Sequence, residues 1–316
     1  MIISCCEESL DDLLQVVFTA IRAHGCANDA SRGGTQELIG ASLELRNPRA
    51  RLSVTESRGR VISALGELIW YLSGSNALDQ ISHYISKYAN DADNGIIHGG
   101  YGPRFFAQRG INQIESVLTL LRSRPSTRRA VIQLFSAEDI AADHKEVPCT
   151  CTLQLLRRDE RLHMVVSMRS NDAYLGLPHD IFCFTMLQEI FARSLGINMG
   201  RYVHFAGSLH LYARDQPNVS AFLREGWQPD SLMPEMPEGD PWAAVRRLIE
   251  LEAQIRMEGD TPATTLGELD PYWADLVRLL LVLTYRRQGR RDDIMRIHGE
   301  IGDAFKPAVE ARLVTM

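Results

Sequence analysis

The sequence lacks the features that mark secreted and membrane proteins. No apolar run approaches the ~20 residues that a membrane-spanning helix needs, and the first residues contain no basic segment of the kind that begins a signal peptide. The 6 cysteines are scattered along 316 residues, unlike the dense disulfide framework of a small secreted domain. We therefore expect a cytoplasmic protein that does not bind membranes.

The chain also has little excess charge. Lys and Arg number 34 against 40 Asp and Glu, which gives a formal net charge of -6. An acidic balance argues against broad binding to nucleic acid or to a membrane surface, although it allows a local basic pocket. Hydrophobic residues make up 45% and charged residues 23%, as in a folded protein of one or two domains.

Hydrophobic periodicity predicts helices and strands that alternate along the chain. Helical spacing covers residues 9–24, 57–73, 113–122 and 182–195, and strand-like runs cover residues 41–45, 50–54, 130–135 and 201–205. After Asp215 a loop at 227–241 and helices at 241–257, 271–287 and 290–309 are predicted. The pattern indicates an α/β (α+β) fold with a sheet packed by helices, divided into a main domain over 1–217 and a helical C-terminal extension over 218–316.

A thiol and several polar residues lie at strand ends in the segment 146–180. Cys149 follows Pro148 at the start of one predicted strand, and Arg169 and Ser170 end the next. A free thiol has a pKa near ~8.5 and needs a cationic neighbour to become a good nucleophile, and Arg169 is the candidate. Cys151 would share a face with Cys149, but no second Cys or His cluster completes a zinc site, so we expect no metal.

Arginines in three places suggest a phosphomonoester pocket, because Arg binds phosphate through paired charge-assisted hydrogen bonds. Arg32 precedes two glycines, which suits either an anion-binding loop or a plain solvated one. Arg128 and Arg129 precede a predicted strand, where neighbours point to opposite faces. One of the two would then face the core, a partner subunit or a ligand, unless both are solvated.

The surroundings of several other polar residues are compatible with either a structural or a functional role. Glu67 lies in an apolar helix, where a carboxylate is costly unless it is paired or used in function. Tyr101 follows two glycines in a loop rich in Asn, Asp and Gly. His210 and Tyr212 share a face if their strand continues, and could be structural or could hold a sugar hydroxyl.

Taken together, these motifs resemble the thymidylate synthase superfamily from Arg32 to about Asp215. The resemblance rests on their order along the chain: Arg32, Gly66–Leu72, Gly100–Gly102, Ser126–Arg129, Pro148-Cys149, Arg169–Asp172, Leu175–Pro178 and Gly207–Tyr212. It implies a mixed sheet packed with helices and a homodimer formed through the sheet. It also implies 5,10-methylenetetrahydrofolate as co-substrate and a pyrimidine nucleoside monophosphate as substrate.

The resemblance further implies a role for each matched residue. Cys149 would be the nucleophile that adds to C6 of the pyrimidine, Glu67 would organise water and proton transfer, and Tyr101 would help remove the C5 proton. The 5'-phosphate would be bound by Arg32, Arg169, Ser170 and, from the second subunit, Arg128 and Arg129. The ribose 3'-hydroxyl would be bound by His210 and Tyr212, the base by Asp172 and Asp180, and the folate by Asp172, Gly176 and Tyr88.

Asp180 stands where thymidylate synthases carry Asn, and the dCMP hydroxymethylase of phage in this superfamily carries Asp. A protonated Asp can donate to N3 of cytosine, accept from its 4-amino group and supply the proton that N3 needs as Cys149 adds. An ionised Asp would face O4 of uracil unfavourably. Asp180 therefore favours cytosine, although an acid or an amide could turn to suit the other base.

Further departures concern the one-carbon group. Tyr84–Asp93 has no tryptophan where thymidylate synthases usually have two, and Tyr88 lies near one expected position. Thr150 replaces a polar ring after the nucleophile, and residues after 217 do not resemble the usual closing tail. We interpret the chain as a dCMP or CMP 5-hydroxymethylase, with a thymidylate synthase or a non-catalytic nucleotide-binding homologue as alternatives.

Overall fold

The computed structural model describes residues 3–30, 32–55, 60–229 and 231–314. The strands of this described part form one mixed seven-stranded sheet in the order β1-β3-β7-β6-β5-β4, with β2 paired to β3. Their bounds are β1 Ile3–Glu7, β2 Cys26–Ala30, β3 Gly33–Leu45, β4 Val131–Gln133, β5 Thr150–Arg158, β6 Arg161–Asp172 and β7 Asn198–Tyr212. The mixed sheet confirms the predicted fold class.

The described residues also form twelve α-helices, several of which pack on this sheet. Their bounds are α1 Leu10–His24, α2 Val61–Leu72, α3 Leu78–Ser82, α4 Tyr101–Phe106, α5 Gln113–Ser123, α6 Gly176–Ser194, α7 Gln216–Glu225, α8 Trp242–Glu258, α9 Ala263–Gly267, α10 Pro271–Arg287, α11 Arg291–Glu300 and α12 Lys306–Val314. Short 3-10 helices include Ser86–Asn90. No helix in the described part of the chain is both long enough and apolar enough to span a membrane.

The central helix α6 is buried along most of its length, as its nearly continuous apolar sequence predicts. It packs on β6, β7 and α2. It ends before Gly196, whose φ of 64° terminates it as expected. It begins at Gly176, six residues earlier than predicted, so Asp180 lies in its first turns and not in a preceding loop.

Two predicted segments around β3 were wrong. Gly33 to Thr35 do not form a loop: β3 already starts at Gly33, which has a φ of 115° and pairs with Ala30 of β2, and Ser31 lies outside the described residues. Residues 50–54 form no strand. The backbone N–H of Val54 donates instead to Asp11 on α1, and Arg51 is buried in an ion pair with Glu189. The polar residue at position 51 is therefore buried, whereas the alternation of apolar and polar residues predicts an exposed face there.

The helix predicted over 57–73 is α2 from Val61 onward, and residues 57–59 lie outside the described ranges. The helix predicted over 290–309 is divided between α11 and α12. A β-bulge between Thr150 and Thr152 interrupts the alternation from which we expected Cys149 and Cys151 to share a face.

The C-terminal helices pack against the same hydrophobic core as the sheet and its helices. Both α8 and α10 contact α2. The Tyr272 hydroxyl of α10 lies 3.7 Å from the Met186 sulfur on α6. The helices that follow β7 therefore support the elements that carry the polar residues described below.

Candidate active site

A cavity of about 820 Å³ opens at the ends of β3, β6 and β7, beside α2, α4 and α6. Twelve of the residues predicted from the sequence line it: Arg32, Glu67, Tyr88, Tyr101, Cys149, Arg169, Ser170, Asp172, Gly176, Asp180, His210 and Tyr212. They are spread along the chain from Arg32 to Tyr212, so the fold brings the predicted motifs to one place. The volume lies in the range of small-molecule sites.

Cys149 lies beside Arg169, as the sequence predicted. An Nη2 atom of Arg169 is 3.7 Å from the Cys149 sulfur, and the same guanidinium donates to the carbonyls of Val147 and Pro148. These two backbone bonds hold the cation against the thiol. Burial nevertheless raises the pKa of Cys149 to about 11, with Arg169 opposing that rise. The protein therefore holds a neutral thiol that a cation is placed to stabilise once it ionises.

Arg32 crosses the mouth of the cavity to an acidic partner. Its Nη2 lies 2.6 Å from Asp91, and the Arg32 side chain remains half exposed. Its carbonyl accepts from Arg214, whose guanidinium stacks 4.0 Å from the Tyr212 ring centroid. The guanidinium groups of Arg32 and Arg214 thus border one end of the cavity. Ser170, Arg169 and Tyr212 lie at the same end.

Arg128 and Arg129 do not line this cavity in the part of the chain that the structure describes. Both side chains are exposed, and both residues precede β4, which begins at Val131. Neither arginine therefore faces the core, and contact of one of them with a partner subunit or a ligand stays a prediction, beside the alternative of a solvated pair. Exposure leaves both arginines available to another molecule.

Glu67 is buried in the wall formed by α2 and accepts two phenolic hydrogen bonds on one oxygen. Tyr71 donates to Oε1 at 2.8 Å and Tyr88 donates to it at 2.6 Å. Burial raises the pKa of Glu67, and the two hydroxyls partly oppose that rise. Its other oxygen accepts no hydrogen bond from the described residues, so it is left for water or ligand. Tyr88 therefore holds Glu67 directly.

Tyr84 closes the same wall by lying directly on Gly66. A Cβ atom on Gly66 would come within 2.1 Å of the Tyr84 ring, so a larger residue would displace that ring. The Tyr84 hydroxyl donates to Glu252 of α8 at 2.9 Å. A C-terminal helix is thereby bonded to a residue that lines the cavity.

Tyr101 is fixed by the residue after the predicted nucleophile. Its hydroxyl lies 2.9 Å from the Thr150 hydroxyl and accepts from the Thr150 backbone N–H at 3.2 Å. Burial raises the pKa of Tyr101 well above its ordinary value. The Thr150 departure noted in the sequence thus has a structural counterpart, a hydroxyl that orients Tyr101.

Asp180 ends a buried chain of hydrogen bonds. Its Oδ2 accepts from Asn171 Nδ2 at 2.7 Å, Asn171 Oδ1 lies 3.1 Å from His204 Nε2, and His204 Nδ1 lies 2.9 Å from the Tyr202 hydroxyl. Burial lowers the pKa of His204 to about 3, so the ring is neutral. A proton on Nε2 satisfies both ring nitrogens and orients the Asn171 amide toward Asp180.

The Asp180 carboxyl has a strongly perturbed affinity for its proton. Burial raises its pKa well above the ordinary value, the nearby Glu67 raises it further, and the Asn171 hydrogen bond opposes both. Two carboxyl groups therefore share one cavity, and Glu67 favours the protonated state of Asp180.

Residues of β3 and β7 form the opposite side of the cavity. His210 lies across from Glu37 in the strand register, and the Ser208 hydroxyl donates to Glu37. Burial lowers the pKa of His210, with Asp172 and Glu37 opposing that change. Asp172 itself accepts from the backbone N–H groups of Tyr174 and Leu175, which fixes the turn that leads into α6.

Sequence reasoning missed Glu37, Asn171, Tyr202 and His204 as members of the site. Tyr202 and His204 are buried and alternate with more exposed residues on β7. The period of two in the sequence could therefore have predicted their burial. Their partnership with Asn171 depends on the β6–β7 register, which no local pattern gives. In the described residues no three His, Cys, Asp or Glu side chains group as metal ligands.

Comparison with known proteins agrees with this geometry. A family model described as thymidylate synthase matches residues 14–236. A deoxyuridylate hydroxymethyltransferase of Delftia phage PhiW-14 is 29% identical over 215 residues, which cover 63% of this chain and 59% of the phage protein. A thymidylate synthase of Francisella tularensis subsp. holarctica is 26% identical over 209 residues, which cover 58% of this chain and 73% of that protein.

The matched region contains the whole of the cavity lining, from Asn28 to Arg214. The alignment with the phage relative spans less than two thirds of that protein's length. Helices α8 to α12 lie beyond the residues that the family model matches. Because the family model covers well over half of the residues, this chain belongs to the thymidylate synthase family.

Proposed function

We propose that this chain transfers a one-carbon unit from 5,10-methylenetetrahydrofolate to C5 of a pyrimidine nucleoside 5'-monophosphate, and that the product is a 5-hydroxymethylated cytosine nucleotide from dCMP or CMP. The observation that carries the choice of base is the hydrogen-bonded chain from Tyr202 to Asp180. This chain of hydrogen bonds positions a carboxyl group, and not an amide, at the place where we propose that the base is bound.

The proton on Asp180 has a preferred oxygen. Because Asn171 donates to Oδ2, that oxygen acts as an acceptor, and burial, which raises the pKa of Asp180, favours a proton on the other oxygen. The acid then offers one donor and one acceptor to the cavity. Cytosine presents the complementary pair, an acceptor at N3 and a donor at the 4-amino group.

The same proton serves the first covalent step. Once the Cys149 thiol has released its proton to water, the thiolate forms the S–C6 bond, the C5=C6 π electrons move toward C4 and N3, and N3 takes the proton from Asp180. Arg169 stabilises the thiolate through the guanidinium that lies 3.7 Å from the sulfur. Asp180 gains negative charge in this step, which explains why it must begin protonated.

The residues present fit a folate co-substrate beside the nucleotide. Trp70, Tyr84 and Tyr88 give one side of the cavity an aromatic wall. Gly176 keeps space open in the cavity, because a Cβ atom at this position would lie 3.1 Å from the Asn171 side chain. The folate supplies a one-carbon unit at the oxidation level of formaldehyde. Glu67, held by Tyr71 and Tyr88, is positioned to orient the water that yields a hydroxymethyl group.

Arg128 and Arg129 are proposed to reach the phosphate of a second subunit in a homodimer formed through the sheet. Their exposure ahead of β4 supports this role. So does the exposed apolar surface of the sheet, where Ile39, Val131 and Phe205 are 75%, 39% and 40% exposed. Exposed apolar residues on three strands of one sheet favour burial against another chain.

Two alternatives draw on the relatives. The Francisella enzyme is named a thymidylate synthase, which favours methylation of dUMP, and the phage relative is named a deoxyuridylate hydroxymethyltransferase, which favours uracil with the same one-carbon outcome. A non-catalytic nucleotide-binding homologue is a third reading. The presence of Cys149, Glu67 and Arg169 in one cavity argues against it.

Product mass distinguishes these readings. The protein is incubated with methylenetetrahydrofolate and, separately, dCMP, CMP or dUMP, and the nucleotide products are weighed. We expect a gain of CH₂O on a cytosine nucleotide and no absorbance change from dihydrofolate. A gain of CH₂ with dihydrofolate formation contradicts hydroxymethylation, and hydroxymethyl-dUMP contradicts the choice of base.

A further inference from the structure

A carboxylate of β3 faces the part of the cavity expected to hold the sugar. Glu37 and His210 are directly opposite partners in the antiparallel β3–β7 pair, so their side chains project from the same face of the sheet. Glu37, Ser208 and His210 all line the cavity. No local sequence pattern assigned Glu37 a role, because the pairing of β3 with β7 joins residues 173 positions apart.

The bonds that Glu37 makes leave it able to accept more. The Ser208 hydroxyl donates to Oε1, and Asn28 Nδ2 lies 3.4 Å from Oε2. A carboxylate has about four acceptor positions, so two donors do not saturate it. Among the described residues no Lys, Arg or His forms a salt bridge with Glu37. Its negative charge therefore faces the cavity without a neutralising cation.

Such a charge is unfavourable in a cavity that must also bind a phosphate. Arg32, Arg169 and Arg214 line the phosphate end, whereas Glu37 lies next to His210. A carboxylate that repels phosphate but accepts from hydroxyls suits a neutral, hydroxyl-bearing group between phosphate and base. Acidic residues bind the ribose 2'-hydroxyl in this way in dinucleotide sites.

We propose that Glu37 accepts a hydrogen bond from the ribose 2'-hydroxyl, so that the substrate is a ribonucleotide, CMP, in preference to dCMP. The proposal rests on the function proposed above, in which His210 and Tyr212 bind the neighbouring 3'-hydroxyl. The 2'- and 3'-hydroxyls of ribose lie on the same side of the ring. Two residues side by side on β3 and β7 can therefore each take one of them.

Nucleotide binding without folate tests the proposal. Isothermal titration calorimetry is performed on the full chain with CMP, dCMP, UMP, dUMP and 2'-fluoro-2'-deoxy-CMP. We expect CMP to bind about tenfold to 150-fold more tightly than dCMP, the range for a hydrogen bond to a charged group. The fluoro analogue should bind as weakly as dCMP, because fluorine matches the size of the hydroxyl but donates no proton.

Variants of two glutamates on β3 locate the effect. Glu37→Met should bring the CMP to dCMP affinity ratio close to one, and Glu37→Gln, which keeps an acceptor for Ser208, should give an intermediate ratio. Glu44→Gln is the matched control, because Glu44 lies on the same strand in an ion pair 3.2 Å from Arg201 and does not line the cavity. Its ratio should equal that of the unaltered protein.

The outcomes separate this proposal from the one on which it rests. Equal binding of CMP and dCMP by the unaltered protein, or an unchanged ratio in Glu37→Met, overturns the role of Glu37 and leaves the proposed reaction intact. Tighter binding of UMP than dUMP, with uracil preferred to cytosine, supports Glu37 while contradicting the choice of base. Failure of all four natural nucleotides to bind overturns both proposals.

Discussion

The region matched by the family model and the helices that follow it contribute differently to the cavity. Every residue that lines the cavity in the described chain lies between Asn28 and Arg214. Helices α8 to α12 line none of it, yet α8 and α10 contact α2, and Glu252 of α8 bonds to Tyr84 in the cavity wall. The chemistry and the support of that chemistry are thus carried by separate parts of the chain.

This difference explains why a divergent C-terminal region can coexist with a cavity lined by the residues that the sequence predicted. The segment Leu78–Asn90 has no strand to hold it, and its short α-helix α3 and the 3-10 helix Ser86–Asn90 are weak supports. Glu252 and Arg287 of the later helices bond to Tyr84 and His83 in this segment. We expect substitutions in the matched region to change mainly turnover and nucleotide affinity, and substitutions in the later helices to change mainly the free energy of unfolding.

The largest effect is expected at Cys149. Cys149→Ser should lower turnover by at least about 10³-fold, because a serine hydroxyl beside Arg169 ionises far less readily than a thiol. Nucleotide affinity should change little, since the phosphate contacts remain. Turnover is measured by product mass and affinity by calorimetry.

Cys151 supplies a matched control for that substitution. It follows two residues later, is also partly buried, and does not line the cavity. Cys151→Ser should retain turnover within about twofold of the unaltered protein, as expected for a substitution away from the reacting atoms. Comparable losses in both variants would mean that the sheet edge, and not the sulfur nucleophile, limits activity.

The next largest effect is expected at Asp180. Asp180→Asn should change the ratio of cytosine to uracil nucleotide affinity by about tenfold to 100-fold in favour of uracil, because an amide donates to O4 and accepts from N3–H. Affinities are compared within one variant, so any general loss of stability cancels. An unchanged ratio would show that Asp180 does not read the base.

The pH dependence of binding gives an independent check on the protonation of Asp180. Burial raises its pKa, which extends the acid form to higher pH, and the acid form is lost as the pH rises through that pKa. Affinity for CMP should therefore fall as the pH rises, and Asp180→Asn should remove that fall. A pH-independent affinity in the unaltered protein would contradict a protonated Asp180.

Sequence reasoning predicted what local patterns determine. The helix around Glu67, the Cys149–Arg169 proximity and the shared face of His210 and Tyr212 followed from periodicity and motif order. It missed what depends on pairing between distant strands, such as Glu37 with His210 and Asn171 with His204. It also missed β2, because Cys26–Ala30 is polar and mostly exposed and has no buried face to read.

The smallest catalytic effect, and a large effect on stability, is expected at Glu252 of the C-terminal region. Its fully buried carboxylate accepts from Tyr84 and Arg256 at 2.9 Å and from Gln80 at 3.4 Å. Glu252→Ala leaves a partly buried guanidinium and a phenol without this acceptor. It should lower the free energy of unfolding by about 3 kcal/mol, as for other broken buried ion pairs.

The matched control and the readout follow from the helix itself. Glu250 lies on the same helix, is exposed and pairs with Arg247, so Glu250→Ala should change the free energy of unfolding by less than about 0.5 kcal/mol. Below its unfolding temperature, Glu252→Ala should keep nucleotide affinity and raise the KM for folate a few fold, because Tyr84 borders the Tyr88 wall and not the phosphate. Loss of nucleotide affinity at 20 °C, with folate KM unchanged, would place the influence of α8 on the sheet side of the cavity and remove the distinction between the two regions.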